Sequence, residues 1–182
     1  MAKLVSKTYG DALFELALEE DTLDLLYDES KAIREVFLDN SELLKLLNHP
    51  KIDKDEKIAV IENIFSEKVS KDLVGFLVLT IKKERQNSIV EILDYFISVV
   101  KEYKKIGVAY VTTAVETTEE QKKAIEDKLL ATTKYELFEM NFTVDKDIIG
   151  GMVIRIGDRV VDNSIKLKLN ELSRNLYKIQ LV

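Results

Sequence analysis

The sequence predicts an α+β protein: an N-terminal all-α bundle of six helices followed by a small mixed α/β domain. Three observations carry this reading. From residue 3 to about 104, apolar residues recur at three- and four-residue intervals, the period of an amphipathic helix. Near Ile106-Gly107 the interval changes to two, in a run rich in β-branched and aromatic residues. Turn and capping residues interrupt both patterns at ordinary element lengths. The expected domains are therefore residues 1–105 and 106–182. Their join is short and charged and lacks a glycine-rich linker, so it predicts a hinge.

The first helix is expected from Lys3 to about Glu20, with Val5, Tyr9, Ala12, Leu13, Leu16 and Ala17 on one stripe. Asp21 is placed to cap a second helix whose Leu23, Leu26, Ile33 and Phe37 keep the period until Asp39-Asn40. Ser41 opens a short third helix ending near Asn48. His49-Pro50 then breaks the chain, because proline disfavours helical geometry in the residue before it. Asp53 and Glu56 have capping-box spacing for a fourth helix to about Phe65. Ser70 begins a fifth, and Ser88 to about Lys104 a sixth.

In the second domain Val108, Tyr110 and Thr112 alternate with Ala109, Val111 and Thr113 in a strand. Thr118 and Gln121 form a capping box for a helix to about Thr133. Phe138, Met140, Phe142 and Val144 mark a second strand, Asp145-Lys146-Asp147 a turn, and residues 151–156 a third strand. The chain reverses at Gly157-Asp158, passes through Val160-Val161 and enters a last helix from about Ser164 to Ile179, giving the order β-α-β-β-α.

A hydrophobic content of 46% in 182 residues is enough to bury a core in one domain or two. The net charge of -6 argues against broad attraction to nucleic acid or anionic lipid. The absence of cysteine removes disulfides, thiolate ligands and thiol nucleophiles. No apolar run approaches the roughly 20 residues of a membrane-spanning helix, so no direct membrane insertion is expected.

Candidate chemistry is sparse. A nucleophilic triad needs a base, and the one histidine, His49, sits beside the helix-breaking proline, where a partly cationic ring suits the negative end of the third helix. A zinc site would need several converging ligands. Gly150-Gly151 and Gly157-Asp158 lack the spacing of a dinucleotide or phosphate loop and read as backbone devices. Lys82-Lys83-Glu84-Arg85 and Lys104-Lys105 lie at helix ends, where positive charge complements the dipole without a ligand. No catalytic residue, cofactor, metal or small-molecule substrate is expected, and the chain reads as a non-enzyme.

The informative segment is Leu73 to Ile81, whose large apolar side chains surround the whole helix at 100° per residue. Such a helix is either central to its bundle or covered on its outer side by another chain. The first helix adds a second apolar face through Leu4, Phe14 and Leu18. Gly10, Ala12 and Ala17 are small enough for a partner helix to approach, which suits a helix laid into a groove between the first and fifth helices.

Tyr9 to Ala17, Leu46 to Ile52 and Glu84-Arg85 resemble the delta subunit family of bacterial F-type ATP synthases, equivalent to the mitochondrial oligomycin sensitivity conferral protein. The most specific block runs from Ile149 to Asp158, followed by Val161-Asp162-Asn163-Ser164-Ile165 and Leu169. Asn163 replaces the family's usual glycine, and Lys83 an asparagine often found near that position. The resemblance implies a six-helix bundle whose first and fifth helices receive the N-terminal helix of an alpha subunit. It also implies a second domain that binds the b subunits of the peripheral stalk.

Carried onto this sequence, the resemblance places Tyr9, Ala12, Leu13, Phe14, Phe76, Leu79 and Lys82 in or beside the groove. It makes Ile149, Gly150, Gly151, Gly157, Asp158, Asp162 and Ser164 a structural signature. It implies a stator connector without chemistry of its own, on the cytoplasmic face of a bacterial cell membrane and peripheral to it. A cytosolic helical adaptor, or an RNA-binding protein using the second domain, would be the alternatives; the acidic balance and the lack of a stacking surface count against RNA.

Overall fold

The computed structural model describes residues 2–179, and the side chains of 4–177. The described residues form α1 (Ala2–Glu19), α2 (Leu23–Asp39), α3 (Ser41–Asn48), α4 (Lys54–Phe65), α5 (Lys71–Lys82) and α6 (Ile89–Tyr103). There follow β1 (Ile106–Thr113), α7 (Glu119–Thr132), β2 (Leu137–Val144), β3 (Met152–Ile156), β4 (Arg159–Asp162) and α8 (Ile165–Ile179). Short 3-10 turns occupy Gln86–Ser88 and Lys146–Ile148. The chain divides into two compact units between Lys101 and Glu102, so the last residues of α6 cluster with the second unit rather than with the first. The Glu136 N–H donates to the Lys105 carbonyl at 2.9 Å, and the two side chains form an ion pair, which ties the chain after α6 to the approach to β2.

The helices of the first unit surround one apolar core, to which α1 contributes Leu13, α2 Phe37, α3 Leu47, α4 Ile61, α5 Leu77 and α6 Phe96. All are essentially inaccessible, and each such side chain gains about 1.5–3 kcal/mol from leaving water. A polar clasp reinforces the packing: Glu29 of α2 accepts the Ser70 N–H at 2.9 Å and its hydroxyl at 2.6 Å, while the Ser70 Oγ accepts the Leu73 N–H at the start of α5.

Two expected caps are differently made. Asp21 does not cap α2. It lies at φ 53° just beyond α1, where the Thr22 N–H reaches the Ala17 carbonyl at 3.0 Å and the Asp21 N–H the Leu18 carbonyl, a Schellman closure. Thr22 takes the N-cap position of α2, without a side-chain cap bond. Glu84 closes α5 in the same way at φ 59°, through Arg85 N–H to Thr80 and Glu84 N–H to Ile81. Asp53 occupies the N-cap of α4, but its carboxylate makes no cap bond. At the end of α3 the His49 Nδ1 accepts the Lys51 N–H at 3.2 Å. The box at Thr118-Gln121 is complete, with bonds of 3.3 and 3.1 Å.

The second unit holds a four-stranded mixed sheet in the order β2-β1-β3-β4. β1 runs parallel to β2, across the α7 crossover, and antiparallel to β3. The observed order is therefore β-α-β-β-β-α, one strand more than expected, because Val160-Val161 belongs to β4 and not to a connection. The two-residue loop Gly157-Asp158 joins Ile156 to its partner Arg159, with Gly157 at φ 55°, a geometry that a tight hairpin requires. Ala109, Leu129 and Phe138 form the small core, with Ile125, Leu130, Tyr135, Met140, Ile154 and Ile156 packed around them. Gly107 faces Phe138 across the parallel register, and any Cβ there would lie 2.4 Å from the aromatic ring.

Candidate partner groove and C-terminal signature

Helix periodicity places Tyr9, Ala12, Leu13 and Leu16 along one side of α1, and Lys71, Gly75, Phe76 and Leu79 along one side of α5. Where these sides face each other the first unit leaves an open apolar groove of about 650 Å³, completed by Thr8 and Asp72. Tyr9 and Phe76 meet edge to face across it, with ring centroids 6.4 Å apart. Leu13 is fully buried and forms its floor, whereas Leu79 is 46% exposed on the rim. Gly75 leaves a notch with no neighbouring atom within 4 Å of where a Cβ would stand.

Five of the seven expected groove residues thus come together: Tyr9, Ala12, Leu13, Phe76 and Leu79. Phe14 instead packs half-buried against the core of the first unit, and Lys82 is exposed one turn beyond Leu79 without lining the groove. Thr8, Leu16, Lys71, Asp72 and Gly75 were not among the expected groove residues, although continuing the same 100° steps from Ala12 and Leu79 reaches them. The apolar circumference of α5 divides into a buried side and an open strip. Leu73, Phe76, Leu77, Thr80 and Ile81 face inward, and the strip through Gly75 and Leu79 is left open.

The small residues of α1 have a different use from the one expected. Gly10 is buried, and a Cβ there would stand 2.4 Å from Cδ1 of Tyr95, so its smallness admits the ring of α6 and not a partner. The Tyr95 hydroxyl donates to Asp11 at 2.9 Å and holds the ring there. Ala17 is also fully inside the core. Of the three small residues, Ala12 alone borders the groove. Leu4 and Leu18 do lie exposed on the other side of α1.

In the second unit Ile149 sits at φ 67°, ψ -41°, the centre of a γ-turn closed by the Gly150 N–H to the Ile148 carbonyl at 2.8 Å. This is a strained conformation for a β-branched residue. It aims Gly150 and Gly151 at the root of α8. The Ile165 N–H donates to the Gly150 carbonyl at 2.9 Å, and the Asn163 N–H to Met152 at 3.0 Å. A Cβ on Gly150 would strike the Ile165 side chain, and one on Gly151, at φ 79°, would lie 2.3 Å from the Asn163 carbonyl oxygen. Ser164 is buried, and its Oγ accepts the Leu167 N–H at 3.1 Å, capping α8. Asp158 belongs to the hairpin loop and takes no part in this junction.

Asp162 accepts the Ser164 N–H at 2.8 Å. That bond, with a further one from the Ser164 side chain, holds the Asp162 carboxyl below its ordinary value. A depressed folded pKa contributes stability that is complete above the unfolded value and is lost as pH falls through the folded one. Asp162→Asn is therefore expected to remove part of the acid sensitivity of this junction. The protection factor of the Leu167 amide, the intrinsic rate divided by the observed one, should fall between about pH 6 and pH 3 in the original protein and change less in the variant.

Among the described residues no helix is long and apolar enough to cross a membrane, and no cluster of three or more His, Cys, Asp or Glu could hold a metal. A family model described as ATP synthase delta (OSCP) subunit matches residues 5–176. The ATP synthase subunit delta of Lachnoclostridium phytofermentans is 63% identical over 181 residues, covering 100% of both chains. That of Anoxybacillus flavithermus is 34% identical, covering 96% of this chain and 97% of the relative. A chain in the Toxoplasma gondii mitochondrial ATP synthase hexamer shares the fold with a TM-score of 0.76 at 18% identity, over 94% of this chain and 97% of that one. By the extent of these matches along its whole length, the chain belongs to the ATP synthase delta (OSCP) subunit family.

Proposed function

We propose that the chain is a stator connector of an F-type ATP synthase, a structural subunit that works by affinity and carries out no chemistry. The observation that carries this is the α1/α5 groove, an apolar trough left open after the first unit has filled its own core. Its length along two helices and its apolar floor suit an amphipathic helix with anchors at helical spacing, and the N-terminal helix of the alpha subunit is the proposed occupant. The second unit is the proposed seat of the b subunits of the peripheral stalk.

Two separate attachments serve an anchoring part well. When one contact opens, the other keeps the partners at high effective concentration, so recapture is fast and the catalytic head does not turn with the rotor. The proposed location is the cytoplasmic face of a bacterial cell membrane, held peripherally through the complex. Titrating the full chain with a synthetic peptide of the alpha subunit's N-terminal segment tests the first attachment. The expected result is saturable binding with NMR shift changes concentrated at Tyr9, Phe76 and Leu79. No binding, or changes confined to residues beyond 105, would remove the groove assignment.

A further inference from the structure

The α5 wall of the groove begins where the helix has least to hold it. Leu73, Phe76, Leu77 and Ile81 tie the rest of α5 to the core, whereas the first two residues, Lys71 and Asp72, are exposed charged side chains, and both line the groove. The first turn of any helix also carries N–H groups that have no partner inside the helix. Where Lys71, Asp72 and Gly75 stand is therefore decided by the cap at Ser70.

That cap is not set by Ser70 alone. Glu29 of α2 accepts the Ser70 N–H through one carboxylate oxygen at 2.9 Å and the Ser70 hydroxyl through the other at 2.6 Å. A hydroxyl has a single proton to give. With that proton committed to Glu29, the lone pairs of the Ser70 Oγ are left for the Leu73 N–H at 3.5 Å, while the Ser70 carbonyl accepts the Val74 N–H at 3.1 Å and starts the helical ladder. Glu29 is half-buried and lies outside the groove lining, yet both of its oxygens are spent on this one residue.

We propose that Glu29 is a positioning residue for the groove: by holding the Ser70 turn against α2, it fixes the α5 wall at Lys71, Asp72 and Gly75 and so sets how tightly the groove grips a helix. This rests on the reading of the groove as the seat of the alpha subunit's N-terminal helix. When the turn is released, only the fraction of molecules with the wall in place is competent to bind, and the apparent affinity falls by that fraction.

The test titrates the full chain with the synthetic peptide of the alpha subunit's N-terminal segment. Glu29→Ala is expected to weaken binding about tenfold, mostly through faster dissociation. Glu29→Gln is the conservative variant. Its carbonyl can accept the Ser70 N–H and its amide can donate to the Ser70 Oγ, so affinity should stay within about twofold of the original. In the free Glu29→Ala chain the protection factor of the Leu73 amide should fall about tenfold, and saturating peptide should restore it by about the factor that affinity lost, because coupling between the turn and the peptide is reciprocal. Ile33→Val, a fully buried change in the same helix, should lower the urea midpoint and leave affinity unchanged.

Failure of Glu29→Gln to bind better than Glu29→Ala, or a loss in Ile33→Val equal to that in Glu29→Ala, would overturn the proposal, since general loosening of the bundle would then explain the effect. If the original chain binds no peptide, the helix-seat reading falls and this role with it. If the original chain binds and Glu29→Ala binds as tightly, only the role of Glu29 falls.

Discussion

Gly151→Ala is expected to destabilise the second unit by about 2–5 kcal/mol, the largest loss from any single methyl group added in that unit. Two costs combine. The backbone at φ 79° is unfavourable for any residue with a Cβ, and the new atom would stand 2.3 Å from the Asn163 carbonyl oxygen and 3.2 Å from its carbon. These are backbone atoms and cannot rotate away, so the chain entering α8 must shift, and with it the Asn163-to-Met152 and Ile165-to-Gly150 hydrogen bonds. Gly157→Ala is the control. Its φ of 55° carries a similar conformational cost, but its Cβ would meet open space, so about 1–2 kcal/mol is expected. Urea unfolding followed by amide exchange, resolved at Val111 and Ile154, checks both. Equal losses for the two variants would show that the packing against Asn163 counts for nothing.

The second large effect is on binding. Leu79→Asp is expected to weaken the alpha-subunit peptide at least about 100-fold, because it sets a carboxylate on the rim of an apolar trough where a partner's apolar side chains would exclude water. Leu79 is 46% exposed, so the fold should tolerate the change. Gly75 supplies the complementary pair of variants. Gly75→Ala should stabilise α5 by about 1 kcal/mol, since it improves helix propensity and touches nothing. Gly75→Leu should fill the notch and block the peptide while the unit stays folded. Isothermal titration with circular dichroism at each step reads these outcomes. Undiminished affinity in folded Leu79→Asp and Gly75→Leu chains would show that the peptide sits elsewhere.

Helix and strand positions were legible because burial on one face leaves a period in the chain, and that period survives wherever one side of an element stays wet. It fails at α5, whose Leu73 to Ile81 segment is apolar all round, and there only the structure separates the inward residues from the Gly75-Leu79 strip. Small residues were misread for a related reason. Gly10 and Ala17 announce a close approach without saying from which side, and the approaching group proved to be Tyr95 at one and the core at the other. Asp21 looked like an N-cap because aspartate favours both that position and the left-handed closure of the preceding helix. β4 was missed because a four-residue edge strand is too short to establish an alternation, and all four of its residues are exposed.

The Tyr95 ring, seated against Gly10 and tethered to Asp11, also links α1 directly to α6. If a partner sits between α1 and α5 as proposed, tension on it would pass sideways from α1 into α6 through the Tyr95 ring and its hydrogen bond to Asp11. Since α6 is the segment by which the chain leaves the first unit, a load passed on in this way would reach it without travelling through the turns at Asp21 and Pro50.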